Sequence, residues 1–310
     1  MNGEQFKRLW KGFWQLADPK IWIASTIPMA VGGALAFGTT GKFDVFWFVV
    51  SLAAVYLIEI GKNASNEVVD YITGVDRYVT PDKRTPFSGG KKTIVDGKLT
   101  VTEAALISML TFGAACIIGI YIMLYRDMSI FWIGILGVLI AFFYSVPPVK
   151  LAYRGLGELA VGFVFGPLIL SGIYKVMTHE LTYPVVVVAL PIGFLIANVL
   201  VINQFPDYEA DKRGNKKNLV VRLGKKKSVN VHALLFILAF SSFVAIAIIF
   251  KNPFWLLGFV GVPLAVKSVR VAKEHYDNIK ELVQANAATI MAYQVTGLAM
   301  VIAAITEKYI

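Results

Sequence analysis

Two groups of carboxylate and amide side chains stand at the ends of strongly apolar segments. The first is Asn63, Asn66, Glu67, Asp70 and Asp76 in KNASNEVVDYITGVDR; the second is Asn203, Asp207, Glu209 and Asp211 in INQFPDYEADKRGNKKN. On a helix Asn66 and Asp70 are four residues apart, as are Asn203 with Asp207 and Asp207 with Asp211, so each group is expected to present its oxygens on one helical face. Like charges so placed repel, and charge beside hydrocarbon is costly unless compensated. A bound cation would supply the compensation. Oxygen donors without clustered His or Cys suit a hard divalent ion, and Mg²⁺ shares its shell between a few carboxylates and a substrate's phosphates.

Basic residues follow both groups: Arg77, Lys83, Arg84, Lys91 and Lys92 after the first, Lys212, Arg213, Lys216, Lys217 and Arg222 after the second. Acids holding Mg²⁺ beside Lys and Arg would clamp a diphosphate and stabilise the charge that develops as it leaves. Taken singly, any one of these bases is better explained by membrane topology.

The elements that must position these groups are membrane helices. With 57% hydrophobic residues in 310 and a mean hydropathy of +0.66, the composition excludes an ordinary soluble domain and reads as an all-α, polytopic membrane protein. Apolar stretches of about 20 residues number nine, at roughly 21–39, 45–66, 102–124, 129–147, 157–177, 183–205, 229–250, 253–270 and 285–306. The segment 253–270 is the least regular, interrupted by Pro253, Gly258, Gly261 and Pro263.

With the N-terminus in the cytoplasm, about 25 of the 30 basic residues lie on the cytoplasmic side, and only Lys42, Arg126, Lys175, Lys251 and Lys308 lie outside. Both acid groups then face the cytoplasm. The net charge of +10 follows from this asymmetry and from attraction to anionic membrane lipid, with no nucleic-acid partner implied. The first apolar segment is too long for a cleavable signal core and is expected to remain as an anchor. Before it, FKRLWKGFWQLADPK interleaves aromatic and basic residues as an interfacial amphipathic helix does.

Cys116 is the only cysteine, which leaves no intramolecular disulfide, and is expected to pack within the third span. His179, His232 and His275 are dispersed and are expected at loop or surface positions. Two long polar connections, about 72–100 and 206–228, carry the acid groups at their entrances. Spans two and six each deliver an Asn and an Asp four residues later to the same membrane face, which suggests a parallel internal duplication.

A diphosphate clamp at the mouth of an apolar bundle fits a lipid diphosphate whose tail lies among the helices. Loss of diphosphate from an allylic chain leaves a carbocation that an electron-rich partner can capture, so the reaction class is alkyl transfer. A cation-coupled transporter is the alternative of another class, but its acids would more often lie near the bilayer midplane.

The run NASNEVVDYITGVD resembles the first Asp-rich motif of the UbiA superfamily of intramembrane prenyltransferases, and NQFPDYEADKRGNKKNLVVRLG resembles the second. IPMAVGGALAF and YSVPPVKLAYRGLGELAVGFVFGPL resemble the same family. The resemblance covers nearly the whole chain and implies one transmembrane prenyltransferase domain over 1–310, with nine helices around a central cavity and a cytoplasm-facing site in a prokaryotic cell membrane. Asn63-x-x-Asn66, Gly74-x-Asp76, the run from Pro86 to Gly90 and the run from Tyr153 to Glu158 look most like the 1,4-dihydroxy-2-naphthoate polyprenyltransferases of menaquinone synthesis. Two other acceptor classes fit the same motifs: 4-hydroxybenzoate and the glycerophosphate lipids of archaea.

Carried over by position, the resemblance implies that Asn66, Glu67, Asp70 and Asp76 bind one Mg²⁺ and that Asp207 and Asp211 bind a second. Glu67 stands where the family commonly has Asp, and Asp76 falls six residues after Asp70 rather than four. Asp70, Asp207 and Tyr144 are implied to be catalytic, the Tyr144 ring facing the cation. Arg77, Lys83, Arg84, Lys150 and Asn203 are implied to bind substrate, a prenyl diphosphate joined to an aromatic acceptor.

Overall fold

In the computed structural model, the structure describes residues 3–80, 84–87 and 91–310, and all regular structure among them is helical. The helices are α1 (Gly3–Ala17), α2 (Ile23–Thr40), α3 (Val45–Thr73), α4 (Val101–Tyr125), α5 (Ile130–Phe143), α6 (Gly157–Phe163), α7 (Ile169–Thr178), α8 (Tyr183–Asn203), α9 (Tyr208–Arg213), α10 (Leu219–Leu223), α11 (Lys225–Phe250), α12 (Val262–His275) and α13 (Ile279–Thr306). A π-helical turn, Val164–Leu168, joins α6 to α7 into one span, Gly157–Thr178, and a 3₁₀ segment, Pro253–Gly261, leads into α12. Among the described residues eight helices are long and apolar enough to cross a membrane, and the shorter apolar α5 completes the nine expected segments.

Local signals set the helix ends near the site. The Asp44 side chain caps α3 by accepting from Trp47 N–H at 3.2 Å, and Gly74, at φ 86°, ends it in the left-handed region that glycine enters at little cost. Thr100 and Glu103 form a reciprocal capping box at the start of α4. The 29 residues of α3 span about 44 Å, against about 30 Å of hydrocarbon. Its last turns, which carry Asn66 and Asp70, therefore lie at or beyond the edge of the apolar layer.

The main core packs α2, α7, α8, α11 and α13 around Leu35, Leu170, Ile192, Phe243, Trp255 and Tyr293. Outward faces carry Met109, Ile117, Trp132, Ile237 and Ile248, all exposed, as a lipid-facing surface requires. Two minor expectations fail. Cys116 is exposed on α4, and His232 is fully buried on α11, where Nδ1 pairs with Asn198 Oδ1 at 2.6 Å and Nε2 with Ser268 Oγ at 2.9 Å. The burial is tolerated because both ring nitrogens have partners.

Candidate active site

Asn63, Asn66, Glu67 and Asp70 lie on the last turns of α3, as the spacing predicts, and Asp76 lies in the 3₁₀ turn Val75–Tyr78 that follows Gly74. Asp70 is 1% exposed and fully engaged. Its Oδ1 accepts from Tyr153 Oη at 2.6 Å, and its Oδ2 accepts from Asn66 Nδ2 and from Lys216 Nζ, both at 2.8 Å. Asn66 Oδ1 in turn accepts from Ser145 Oγ at 2.6 Å, which fixes the orientation of its amide. Lys216 comes from the connection between α9 and α10, so this contact brings the two distant motifs to one end of the bundle.

The second group is not carried on a single helix. Instead α8 ends at Asn203, residues 204–207 form a turn, and α9 starts at Tyr208. The physical cause is Pro206, which has no N–H to donate and disfavours helical backbone at the residue before it. Asp207 and Asp211 still lie four residues apart at the start of α9, joined by Asp211 N–H to Asp207 O at 2.8 Å. Asn203 is separated from them, and its Oδ1 accepts from Asn286 Nδ2 of α13 at 2.8 Å.

Asp211 is buried and accepts from Asn218 Nδ2 at 2.6 Å, and Asn218 also caps α10. Glu158 supports this arrangement from α6, its Oε1 accepting from Gln204 Nε2 at 2.6 Å and from Leu219 N–H at 3.0 Å.

The electrostatics follow from burial. Burial pushes the Asp76 carboxyl up to about 8, with the neighbouring Asp70 charge adding to the shift. Asp76 Oδ2 is buried without a hydrogen-bond partner, and Oδ1 lies 3.7 Å from Lys92 Nζ. Burial likewise pushes Asp211 up to about 7, opposed by Lys216 and reinforced by Asp207 and Asp70. For Lys216, burial favours the neutral amine, but Asp70 and Asp211 outweigh it and hold the ammonium well above its ordinary pKa. Lys216 thus places a positive charge among the acids of both motifs.

Other expected residues take different positions. Glu67 is turned into the connection after α3, where Oε2 accepts from the N–H groups of Lys91 and Lys92 at 2.9 and 3.0 Å. Its Oε1 accepts from Thr93 Oγ1 at 2.9 Å and Ile94 N–H at 3.1 Å. Arg77 is exposed, donates to Tyr71 O and lies over the Tyr71 ring at 4.6 Å. Arg84 pairs with Asp96 at 2.9 Å. Lys150 lies 4.6 Å over the ring of Tyr153, beside Asp70. Lys83 falls outside the described residues.

Beneath the acids lies an apolar cavity of about 320 Å³ between α2, α3, α4, α5 and α6–α7, with Tyr144 among its lining residues. Cys116, Ile120, Phe131 and Ile135 line it and are also exposed, so it opens sideways between α4 and α5. A charged mouth over a laterally open apolar chamber can hold a polar head and an apolar tail at once.

Residues 25–303 match the UbiA prenyltransferase family. The chain belongs to that family. As a UbiA-family protein it is an integral membrane enzyme that transfers prenyl groups. It is 28% identical over 258 residues to the 1,4-dihydroxy-2-naphthoate octaprenyltransferase of Bacillus subtilis, covering 83% of this chain and 80% of that one. The Haemophilus influenzae enzyme of the same name is 30% identical over 246 residues, with 77% of each chain covered. A 2-carboxy-1,4-naphthoquinone phytyltransferase of Synechocystis is 27% identical, covering 91% of this chain and 89% of that one.

Among solved structures, a UbiA homolog from Archaeoglobus fulgidus bound to GPP and Mg²⁺ superposes with a TM-score of 0.67 at 18% identity, covering 96% of this chain and all of that one. The apo UbiA homolog from Aeropyrum pernix K1 gives the same TM-score at 16% identity, covering 91% of this chain and 98% of that one. The UbiA fold is therefore shared well beyond the range of close sequence similarity.

Tyr153, Ser145 and Lys216 hydrogen-bond the expected residues Asp70 and Asn66, and Glu158 braces the turn before α9; the motif reading gave none of the four an individual role. Tyr153 and Glu158 lie inside the family-like run YSVPPVKLAYRGLGE, which was their signal. Lys216 was one base among several, and only the fold distinguishes it.

Proposed function

We propose that this UbiA-family enzyme transfers the isoprenyl chain of a prenyl diphosphate to 1,4-dihydroxy-2-naphthoate, the prenylation step of menaquinone synthesis, using Mg²⁺. The observation that carries the reading is the convergence of Asp70 and Lys216 from the two motifs above a laterally open apolar cavity. The names of the B. subtilis and H. influenzae relatives support the acceptor.

The donor set fits Mg²⁺. Among the described residues no three His, Cys, Asp or Glu side chains converge on one point. Mg²⁺ needs no such cage, since one or two carboxylates and the substrate's phosphates complete its shell. Asp70 and Asp76 would hold one ion and Asp207 and Asp211 the other, with the buried, unpartnered Asp76 Oδ2 available for the purpose. An ion held by these carboxylates would supply positive charge against which the diphosphate leaves.

The chain's own residues do the rest. Asn66 and Tyr153 hold Asp70 in place, Lys216 and Lys150 offer ammonium groups to the diphosphate, and Glu67 anchors the loop of residues 91–94. The apolar chamber excludes water from the allylic centre while the Tyr144 ring faces it. Concentration of basic residues at the motif end supports a site facing the cytoplasm of a prokaryotic plasma membrane.

Purified protein incubated with Mg²⁺, a set of prenyl diphosphates and a panel of aromatic acceptors tests the proposal by mass spectrometry of the products. Prenylated naphthoquinol is expected, with release of diphosphate and loss of the ring carboxylate as CO₂. Product formed only with 4-hydroxybenzoate or a glycerophosphate, or solute transport by proteoliposomes without diphosphate release, would overturn it.

A further inference from the structure

The cavity contains two charged groups that the diphosphate chemistry does not use. Glu59 and Lys62 lie three residues apart on α3, on the face that carries Asn66 and Asp70 farther along, and both line the chamber. Glu59 is 5% exposed. One of its carboxylate oxygens accepts from Ser25 Oγ, and the other has no hydrogen-bond partner among the described residues. Lys62 Nζ likewise has no direct hydrogen-bond or ion-pair partner among the described residues; the Glu59 charge one turn back and the Lys91 ammonium act on it at longer range, and the ring centroid of Tyr144 lies 5.8 Å from it.

An ammonium kept in an apolar chamber without a direct partner is costly, and such groups usually mark a ligand site. The depth of Lys62 indicates which ligand. It sits eight residues before Asp70, about 12 Å farther into the bundle along the helix, below the level at which Lys216 and the acids would hold a diphosphate. At that level the chamber is lined mostly by apolar side chains and the Tyr144 ring, which suit an aromatic ring, with Ser25 and Ser51 also in the wall and the Lys91–Asp18 ion pair the nearby charges beyond it.

We propose that Lys62 and Glu59 select the acceptor. The Lys62 ammonium pairs with a carboxylate on the acceptor ring, the free oxygen of Glu59 accepts from a hydroxyl on the adjacent ring carbon, and Tyr144 packs on the ring. Side chains three residues apart on a helix have Cβ atoms about 5–6 Å apart, which lets them grip neighbouring substituents of one ring. The ligand class is therefore an ortho-hydroxy aryl carboxylate. A ring with hydroxyl and carboxylate in para positions would engage only one of the two. This inference rests on the reading that the acceptor is aromatic.

The test measures binding to the full-length protein in detergent by calorimetry, with 1-hydroxy-2-naphthoate and 1-naphthol as probes, alongside KM values for acceptor and donor. Wild-type protein is expected to bind the carboxylate at least about tenfold more tightly, the lower end expected for a hydrogen bond to a charged group. Lys62→Met should abolish that preference, Lys62→Arg should keep most of it, and the KM for prenyl diphosphate should stay within about twofold of wild type by the same reasoning. Equal wild-type binding of both probes, or a Lys62→Met effect confined to the donor KM, would overturn the inference. Where Lys62→Met fails to fold, Lys62→Gln takes its place: loss of the preference is expected, and a retained preference would overturn the inference. Wild-type protein that prenylates no aromatic acceptor defeats the proposed function. Protein that prenylates the naphthoate and is unaffected by Lys62→Met defeats only the inference drawn here.

Discussion

Asp70 Oδ2 and Lys216 Nζ lie 2.8 Å apart although 146 positions separate them in the chain. The contact ties the end of α3 to the segment after α9, and it leaves a half-buried cation among the acids of both motifs. Asp70→Asn and Lys216→Met are each expected to lower kcat by about 10²–10³-fold, the range for removing one preorganised charge-stabilising group. Lys216→Arg should retain more activity than Lys216→Met. Single-turnover kinetics on folded variants provide the check, and activity within twofold of wild type would remove Lys216 from the site.

A second expectation concerns pH. In the metal-free protein, burial, opposed by nearby lysines and reinforced by neighbouring acids, raises Asp76 to about 8 and Asp211 to about 7 from the ordinary 3.8. Between about pH 4 and pH 8 the folded state thus binds more protons at these sites than the unfolded state, so stability falls as pH rises through that window. A divalent cation binds the ionised carboxylates and reverses the penalty. The rise in Tm on adding Mg²⁺ should therefore be larger at pH 8 than at pH 6, and a pH-independent rise would contradict the proposed donor set.

Glu67 accepts four hydrogen bonds from residues 91–94, three of them from backbone N–H groups. Glu67→Ala should cost about 3–5 kcal/mol, since each stranded buried donor costs about 1–3 kcal/mol. The loss of Tm should be the same with and without Mg²⁺. If Glu67 is instead a metal ligand, Glu67→Gln will lower Mg²⁺ affinity and leave Tm unchanged.

The two motifs also meet sterically at Gly214. A Cβ on Gly214 would lie 2.2 Å from Val75 Cγ2 and 3.2 Å from Val75 Cα. Gly214→Ala should therefore push the turn carrying Asp76 away from α9, and a displacement near 1 Å can cost about 10²-fold in rate. Val75→Ala removes the nearest atom, so the double variant should recover part of the loss in a steady-state assay. No recovery would show that the loss has another origin.

Donor length should respond to the chamber. Ala141 is buried and lines the cavity, and Ala141→Phe should shift product toward shorter prenyl chains, as read by mass spectrometry. An unchanged product distribution would place the tail elsewhere.

Much of this organisation was legible in the chain. The apolar segments could be read because a hydrocarbon layer constrains composition span by span, with no reference to the rest of the fold. The pairing of Asn66 with Asp70 was legible for a similar reason: both lie within one helix, and the 3.6-residue period is local. The break after Asn203 went unread: the acid spacing suggested a continuous helix, and Pro206 was the local signal against it. The place of His232 was not legible, because its burial depends on partners from α8 and α12.

Hydropathy and helical period are short-range properties, so the order of residues alone establishes that the chain crosses a membrane many times and that acids and bases stand at the ends of particular helices. Tertiary structure decided which of those charges meet. It brought Lys216 rather than Arg77 or Arg84 to Asp70, turned Glu67 into its own loop, and set Glu59 and Lys62 in the chamber beneath. Electrostatic and hydrogen-bond energies depend on separations of a few ångströms between groups far apart in the chain, and those separations arise only when the helices pack.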